Sequence, residues 1–275
     1  MLNFTIESDS NNSKRNKDKK FSSARIKNAA GWILWITLIL SIGYSIYRII
    51  ITPADAVPPA TPRTLPDYFL MLVSCIGGLI VMALPALIEK KFKIIIPDGL
   101  TIAYFIFLFA GVFLGEVRNY FHVFKYWDVL LHSFSGAMLA VLGVKLISVL
   151  NSWERLDLHL SPFFVVLFGF CFAVTVGVIW EIYEYSADTL LGMNMQKYMT
   201  ESGQLLIGQE ALRDTMEDFI VNVISALAVS VGAFFSVRKK QRIFHNEVAA
   251  SPELLTEEVI TAVQKRYNSQ EEASD

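Results

Sequence analysis

Residues 162–185 read PFFVVLFGFCFAVTVGVIWEIYEY, and no charged side chain occurs from Pro162 to Trp180. A helix rises about 1.5 Å per residue, so a stretch of about 20 apolar residues matches a hydrocarbon core roughly 30 Å thick. Soluble core helices keep one wet face and have no use for an apolar run of this length. The stretch predicts a membrane-spanning helix, and its end carries two acids, Glu181 and Glu184, where apolar sequence should give way to the interface.

Five more runs of the same kind flank it. The expected spans are 29–51, 67–88, 100–116, 128–150, 162–185 and 214–237. This makes the chain an all-α polytopic membrane protein with a bundle of six transmembrane helices. The composition agrees, with 53% hydrophobic and only 18% charged residues among 275. The net charge of −2 says little about partners, because the charges are segregated along the chain, but the lack of a basic stripe argues against nucleic acid. Cys75 and Cys171 both lie in apolar runs without CxxC spacing and are expected to be buried fillers rather than a disulfide framework.

Basic residues orient the bundle. Lys14, Arg15, Lys17, Lys19, Lys20, Arg25 and Lys27 precede the first span. Lys90, Lys91 and Lys93 follow the second, Arg155 the fourth, and Arg238, Lys239, Lys240 and Arg242 the sixth. The alternate loops carry only Arg63, then Arg118 and Lys125, then Lys197 and Arg213. Both termini are therefore expected in the cytoplasm of a bacterial cell, with the chain in the cytoplasmic (inner) membrane. Trp32 and Trp35, Tyr44 and Tyr47, and Trp127, Trp180, Tyr183 and Tyr185 fall at the expected interfaces. Residues 1–28, rich in Ser, Asn and Lys, are expected to be a disordered basic tail. Loop 52–66, with five prolines, reads as extended, and tail 238–275 holds a short amphipathic pattern after Ser251-Pro252-Glu253.

The polar residues within the spans gather at one depth. Glu116, Arg118 and Asn119 close the third span, while Asp128 and His132 open the fourth. Glu181, Glu184 and Asp188 close the fifth, and Asp214, Asp218 and Asn222 open the sixth. Odd spans run outwards and even spans inwards, so all these groups meet near the extracytoplasmic face. Spacings of i, i+4 and i, i+3, i+7 put each set on one helix face. Those faces continue into small residues: Gly136, Ala140 and Gly143; Gly169, Ala173 and Gly177; Ala226, Ser230 and Ala233. Small residues let membrane helices approach, so the acids should point into the bundle.

Two readings of this cluster stand side by side. As a site, Asp128, His132, Glu181, Glu184, Asp214 and Asp218 could hold a divalent metal ion, the cofactor such an oxygen-rich set suits. His132, Glu181 and Asp218 would then be catalytic, with Glu116, Arg118, Asn119 and Asn222 in support. As structure, Asp128 and Asp214 would cap helix N-termini and Arg118 would pair with Glu116 or Glu181. In this reading Lys197 is merely solvated, and Lys145 and Arg48 snorkel.

Gly115-Glu116, Arg118-Asn119, Asp128-x3-His132, Glu181-x2-Glu184 and Asp214-x3-Asp218 together resemble the YjdF-type bacterial inner-membrane proteins, over roughly residues 65–237. A more distant resemblance is to VanZ-like proteins, which pair an Asp-x3-His helix with Glu-x2-Gln and Asp-x3-Asn helices. Here Glu184 stands at the glutamine position and Ser225 at the first glycine of that pattern. The resemblance implies a shared bundle and polar site without naming a reaction. The expected function is a metal-assisted hydrolase or transferase whose partners are the lipid bilayer and a lipid or lipid-linked envelope substrate. The alternatives are a non-catalytic scaffold with a structural polar network and a proton- or cation-coupled transporter. The transporter has the least support, because the polar residues stop on one side and no inverted repeat is evident.

Overall fold

The computed structural model describes residues 3–53, 63–92, 95–151, 160–200 and 203–249. Among the described residues, six helices are long and apolar enough to cross a membrane. The elements are α1 (Asn3–Ile51), α2 (Leu65–Met82), α3 (Leu84–Phe92), α4 (Asp98–Leu108), a π-helical segment (Phe109–Val117), α5 (Tyr120–Val123), α6 (Trp127–Asn151), α7 (Pro162–Leu191) and α8 (Gln209–Ala249).

Local chemistry sets the boundaries. α1 extends back to Asn3. No Gly precedes Gly31 and no Pro precedes Pro53. A helix nucleated in the span can therefore propagate through Lys, Arg and Ser at little cost per residue. Pro53 forbids continuation beyond Thr52. α2 opens on a capping arrangement in which the Asp67 carboxylate accepts from the Thr64 N–H and hydroxyl, both at 2.7 Å. The second span is broken at Ala83 into α2 and α3, because Pro85 has no N–H to continue the ladder.

The third span changes pitch. Over Phe109–Val117 the backbone is π-helical, and the Arg118 N–H bonds back five residues to the Phe113 carbonyl at 2.8 Å. Asn119 then turns the chain in the left-handed region, φ 64°, which Asn tolerates better than most residues. A Cβ on Gly115 would lie 2.3 Å from the Phe121 ring, so a larger residue could not sit under α5.

α7 starts with Pro162 in its first turn, and the Ser161 Oγ accepts from the Phe164 N–H at 3.3 Å. It runs to Leu191, six residues past the expected end, and stops at left-handed Gly192 (φ 65°). α8 begins five residues before Asp214 and continues to Ala249. The connection between them is thus 192–208, not the longer 186–213 segment that the apolar boundaries suggest. Arg155, Lys93, most of loop 52–66 and the 251–263 pattern lie outside the described residues.

The bundle has two halves. Helices α1, α2 and α4 pack around Leu34, Leu38, Tyr68, Met71, Cys75 and Leu108. Helices α6, α7 and α8 pack around Ala140, Ala173 and Ala226. In the second half the helices nearly touch: a Cβ on Gly143 would fall 2.8 Å from the Gly169 Cα. At the opposite end from the acids, Asp98 accepts from Ser23 at 3.1 Å and pairs with Lys27, tying α1 to α4. Ile36, Leu40, Ile80, Ile106, Ile179, Ile224 and Val231 are exposed, as a lipid-facing surface requires. Both cysteines are free; Cys75 fills the core but Cys171 faces outwards.

Candidate functional site

The second half of the bundle carries the polar cluster. One turn of α6 brings Asp128 and His132 onto one face, and the first turns of α8 bring Asp218 against them. The His132 Nε2 lies 3.6 Å from an Asp128 oxygen and 3.8 Å from an Asp218 oxygen. One ligand atom from each of the three lies within 4.8 Å of the others, a grouping able to hold a metal ion. These gaps exceed hydrogen-bond lengths. They approach the ~3–3.4 Å separating two donors that each sit about 2.0–2.2 Å from one ion. Of the six residues expected as metal ligands, Glu181, Glu184 and Asp214 stand outside this group.

Glu181 is 3% exposed, and neither of its carboxylate oxygens has a hydrogen-bond partner. Gln196 and Thr215 bond to each other at 2.9 Å and also lie within weak hydrogen-bonding reach of the Glu181 carboxylate, short of full hydrogen-bond geometry. Glu184 is buried one turn further and accepts from the Trp180 indole N–H at 2.8 Å. Asp218 and Asn222 are each 3% exposed, and the Asn222 side-chain Oδ1 is also unpartnered. The close helix approach exists around Asn222: a Cβ on Gly177 would lie 1.8 Å from its Nδ2, and one on Gly136 would lie 2.4 Å from its Oδ1.

Residues 192–200 turn back against this end. Asp188 accepts from the Met195 and Gln196 N–H groups at 2.6 and 3.0 Å. The Asn194 amide spans the turn, donating to the Met199 carbonyl at 2.8 Å and accepting from its N–H at 3.0 Å. Met199 bridges to Leu205. This braced turn delivers Lys197, itself left-handed at φ 48°, into the acids. Its ammonium bonds both Asp128 and Asp214, the latter at 2.6 Å. The expectation that Lys197 is merely solvated is therefore corrected. Burial of the ammonium opposes its charge, but Asp128 and Asp214 outweigh that and hold Lys197 above the ordinary lysine range.

The third-span residues lie at the margin of the cluster, with Glu116 near enough to Asp128 for their charges to interact. Arg118 is exposed and, among the described residues, pairs with neither Glu116 nor Glu181. Asn119 serves the turn. Glu116 is half-buried, and its carbonyl accepts from Arg63 at 2.6 Å. The cation that balances the acids is Lys197. The charge excess of the cluster signalled that some cation must come near it, but no helical spacing points to a loop residue.

The match to known sequences covers most of the bundle. Residues 28–240 match the family described as "Predicted membrane protein (DUF2238)", to which the YjdF-type resemblance refers. A Thermotoga maritima protein described as uncharacterised is 23% identical over 124 residues, which cover 45% of this chain and 55% of that protein. The chain thus spans about half the length of that relative. No solved structure matches. Nothing in these matches supports the VanZ-like resemblance. With the family match running through all six spans, the chain belongs to the predicted membrane protein family DUF2238.

Proposed function

We propose that this protein is a metal-assisted hydrolase or transferase of the bacterial cytoplasmic membrane, acting on a lipid or lipid-linked substrate at headgroup depth on the extracytoplasmic side. The observation that carries this reading is the convergence of Asp128, His132 and Asp218 beside Glu181, a fully buried carboxylate with two unpartnered oxygens. Taking several acids out of water is costly unless cations or protons compensate them. One ammonium among five carboxyl groups leaves that compensation incomplete.

In this reading Asp128, His132 and Asp218 would hold a divalent ion, which would supply Lewis acidity toward a carbonyl or phosphoryl oxygen. Glu181 accepts a proton from the attacking water or hydroxyl as the new bond to oxygen forms. The substrate's ester bond then breaks, and the same proton passes to the departing oxygen. Lys197 and the braced 192–200 turn shield the acids from bulk water. A non-catalytic packing network has one observation in its favour, since Lys197 already offsets Asp128 and Asp214.

Glu181→Gln and Asp218→Asn, both nearly isosteric, separate the two readings when introduced into a deletion strain alongside thermal-stability measurements. An enzyme loses complementation while its melting temperature is kept. Full complementation by both variants would leave the packing network as the better account.

A further inference from the structure

A second polar constellation lies in the other half of the bundle, at the same end as the acids. Arg48 sits in the last turn of α1, and its guanidinium lies 4.6 Å from the Tyr68 ring centroid on α2. Its Nε is buried without a hydrogen-bond partner, as is the Thr52 hydroxyl oxygen one turn later. Arg63, just ahead of α2, donates to the Met71 sulfur at 3.2 Å and the Glu116 carbonyl at 2.6 Å, both neutral acceptors. Met71 is one turn from Tyr68, and both guanidiniums act electrostatically on Tyr68. Among the described residues neither arginine pairs with a carboxylate.

Two half-buried guanidiniums facing one helix, with the Glu116 carboxylate near Arg63 but no carboxylate within ion-pair distance of either among the described residues, are costly as a purely structural feature. Arg48 snorkels only in part, because its Nε is turned inside without a partner. The planar fork of arginine matches the oxygens of a phosphate. The last turn of α1 and the first of α2 mark the edge of the apolar core, the depth of lipid phosphates.

We infer that Arg48 and Arg63, with Thr52, form a binding site for a phosphate group between α1 and α2. The site recognises the phosphate itself, carried either by a lipid headgroup or by a soluble ion. It stands whether or not a metal binds at Asp128, His132 and Asp218.

The test uses the full chain purified in a phosphate-free maltoside detergent, with calorimetric titration of three probes: inorganic phosphate, a short-chain phosphatidic acid and the matching diacylglycerol. Wild type should bind a phosphate probe and not the diacylglycerol. Saturation by phosphatidic acid alone identifies a lipid source, and saturation by inorganic phosphate a soluble one. Arg48→Gln and Arg63→Gln should each weaken binding about tenfold or more, as loss of a charge-assisted hydrogen bond does, while Arg48→Lys should retain part of it. Arg63→Gln also loses the bond to Glu116 and can disturb the fold; Arg48→Gln has no such bond to lose and decides the matter. Absence of binding by both phosphate probes, equal binding of the diacylglycerol, or wild-type affinity in Arg48→Gln overturns the inference.

Discussion

Lys197 joins two helices through its ammonium, bridging Asp128 on α6 and Asp214 on α8 from a turn that α7 anchors through Asp188. Removing one member of such a set leaves the others uncompensated. Lys197→Met is therefore expected to lower the melting temperature, and Asp188→Asn to do so less, because an amide keeps one acceptor oxygen. The pH dependence follows from the raised lysine pKa. A group whose pKa is higher folded than unfolded stabilises fully below its unfolded value and loses that effect as pH rises through the folded one. The gap in melting temperature between wild type and Lys197→Met should thus stay constant from about pH 7 to 9, since the ordinary lysine value is about 10.4. A gap that closes within that window would mean that Lys197 is not held as an ion. Nothing in the sequence around Lys197 marks it, because loop residues follow no period and its partners lie on two other segments.

Among the elements, α7 and α8 interlock through Gly177 and Asn222, where a Cβ on the glycine would overlap the amide. Overpacking of this kind costs ~1–3 kcal/mol. Gly177→Ala should destabilise by about that amount, and Asn222→Ala in the same chain should recover most of it by removing the clashing group. Strictly additive losses in the double variant would refute the interlock. This contact was legible, because the small residues Gly169, Ala173 and Gly177, recurring four apart into Glu181, announce a close helix face. The pitch change over Phe109–Val117 was not, since a π segment has no distinct apolar period. The break at Ala83 had its cause in plain view at Pro85, but hydropathy averages across it. The true ends of α7 and α8 were hidden because polar turns extend both helices past their apolar runs.

For the whole molecule, the six spans were readable from uncharged apolar length alone, which the bilayer fixes. The convergence of Asp128, His132 and Asp218 was readable from phase, whereas the division of the cluster into a three-residue group, an unpartnered Glu181 and a lysine-bound Asp214 depends on distances only the fold supplies. The proposed orientation puts the 192–208 turn outside and Lys91 inside. With Cys75 and Cys171 replaced by Ala and Ser, an impermeant maleimide applied to intact cells should label Gln204→Cys but not Lys91→Cys; the reverse pattern would invert the bundle. The most direct test of the cation site is metal content and Mn²⁺ or Zn²⁺ titration of the detergent-purified chain, beside an Asp218→Asn control of matched melting temperature. The account predicts one ion per chain in wild type, and an affinity loss in the variant beyond the ~10–100-fold that changes in outer-sphere partners produce. Wild type that binds neither ion, or a variant that binds as tightly as wild type, would contradict it.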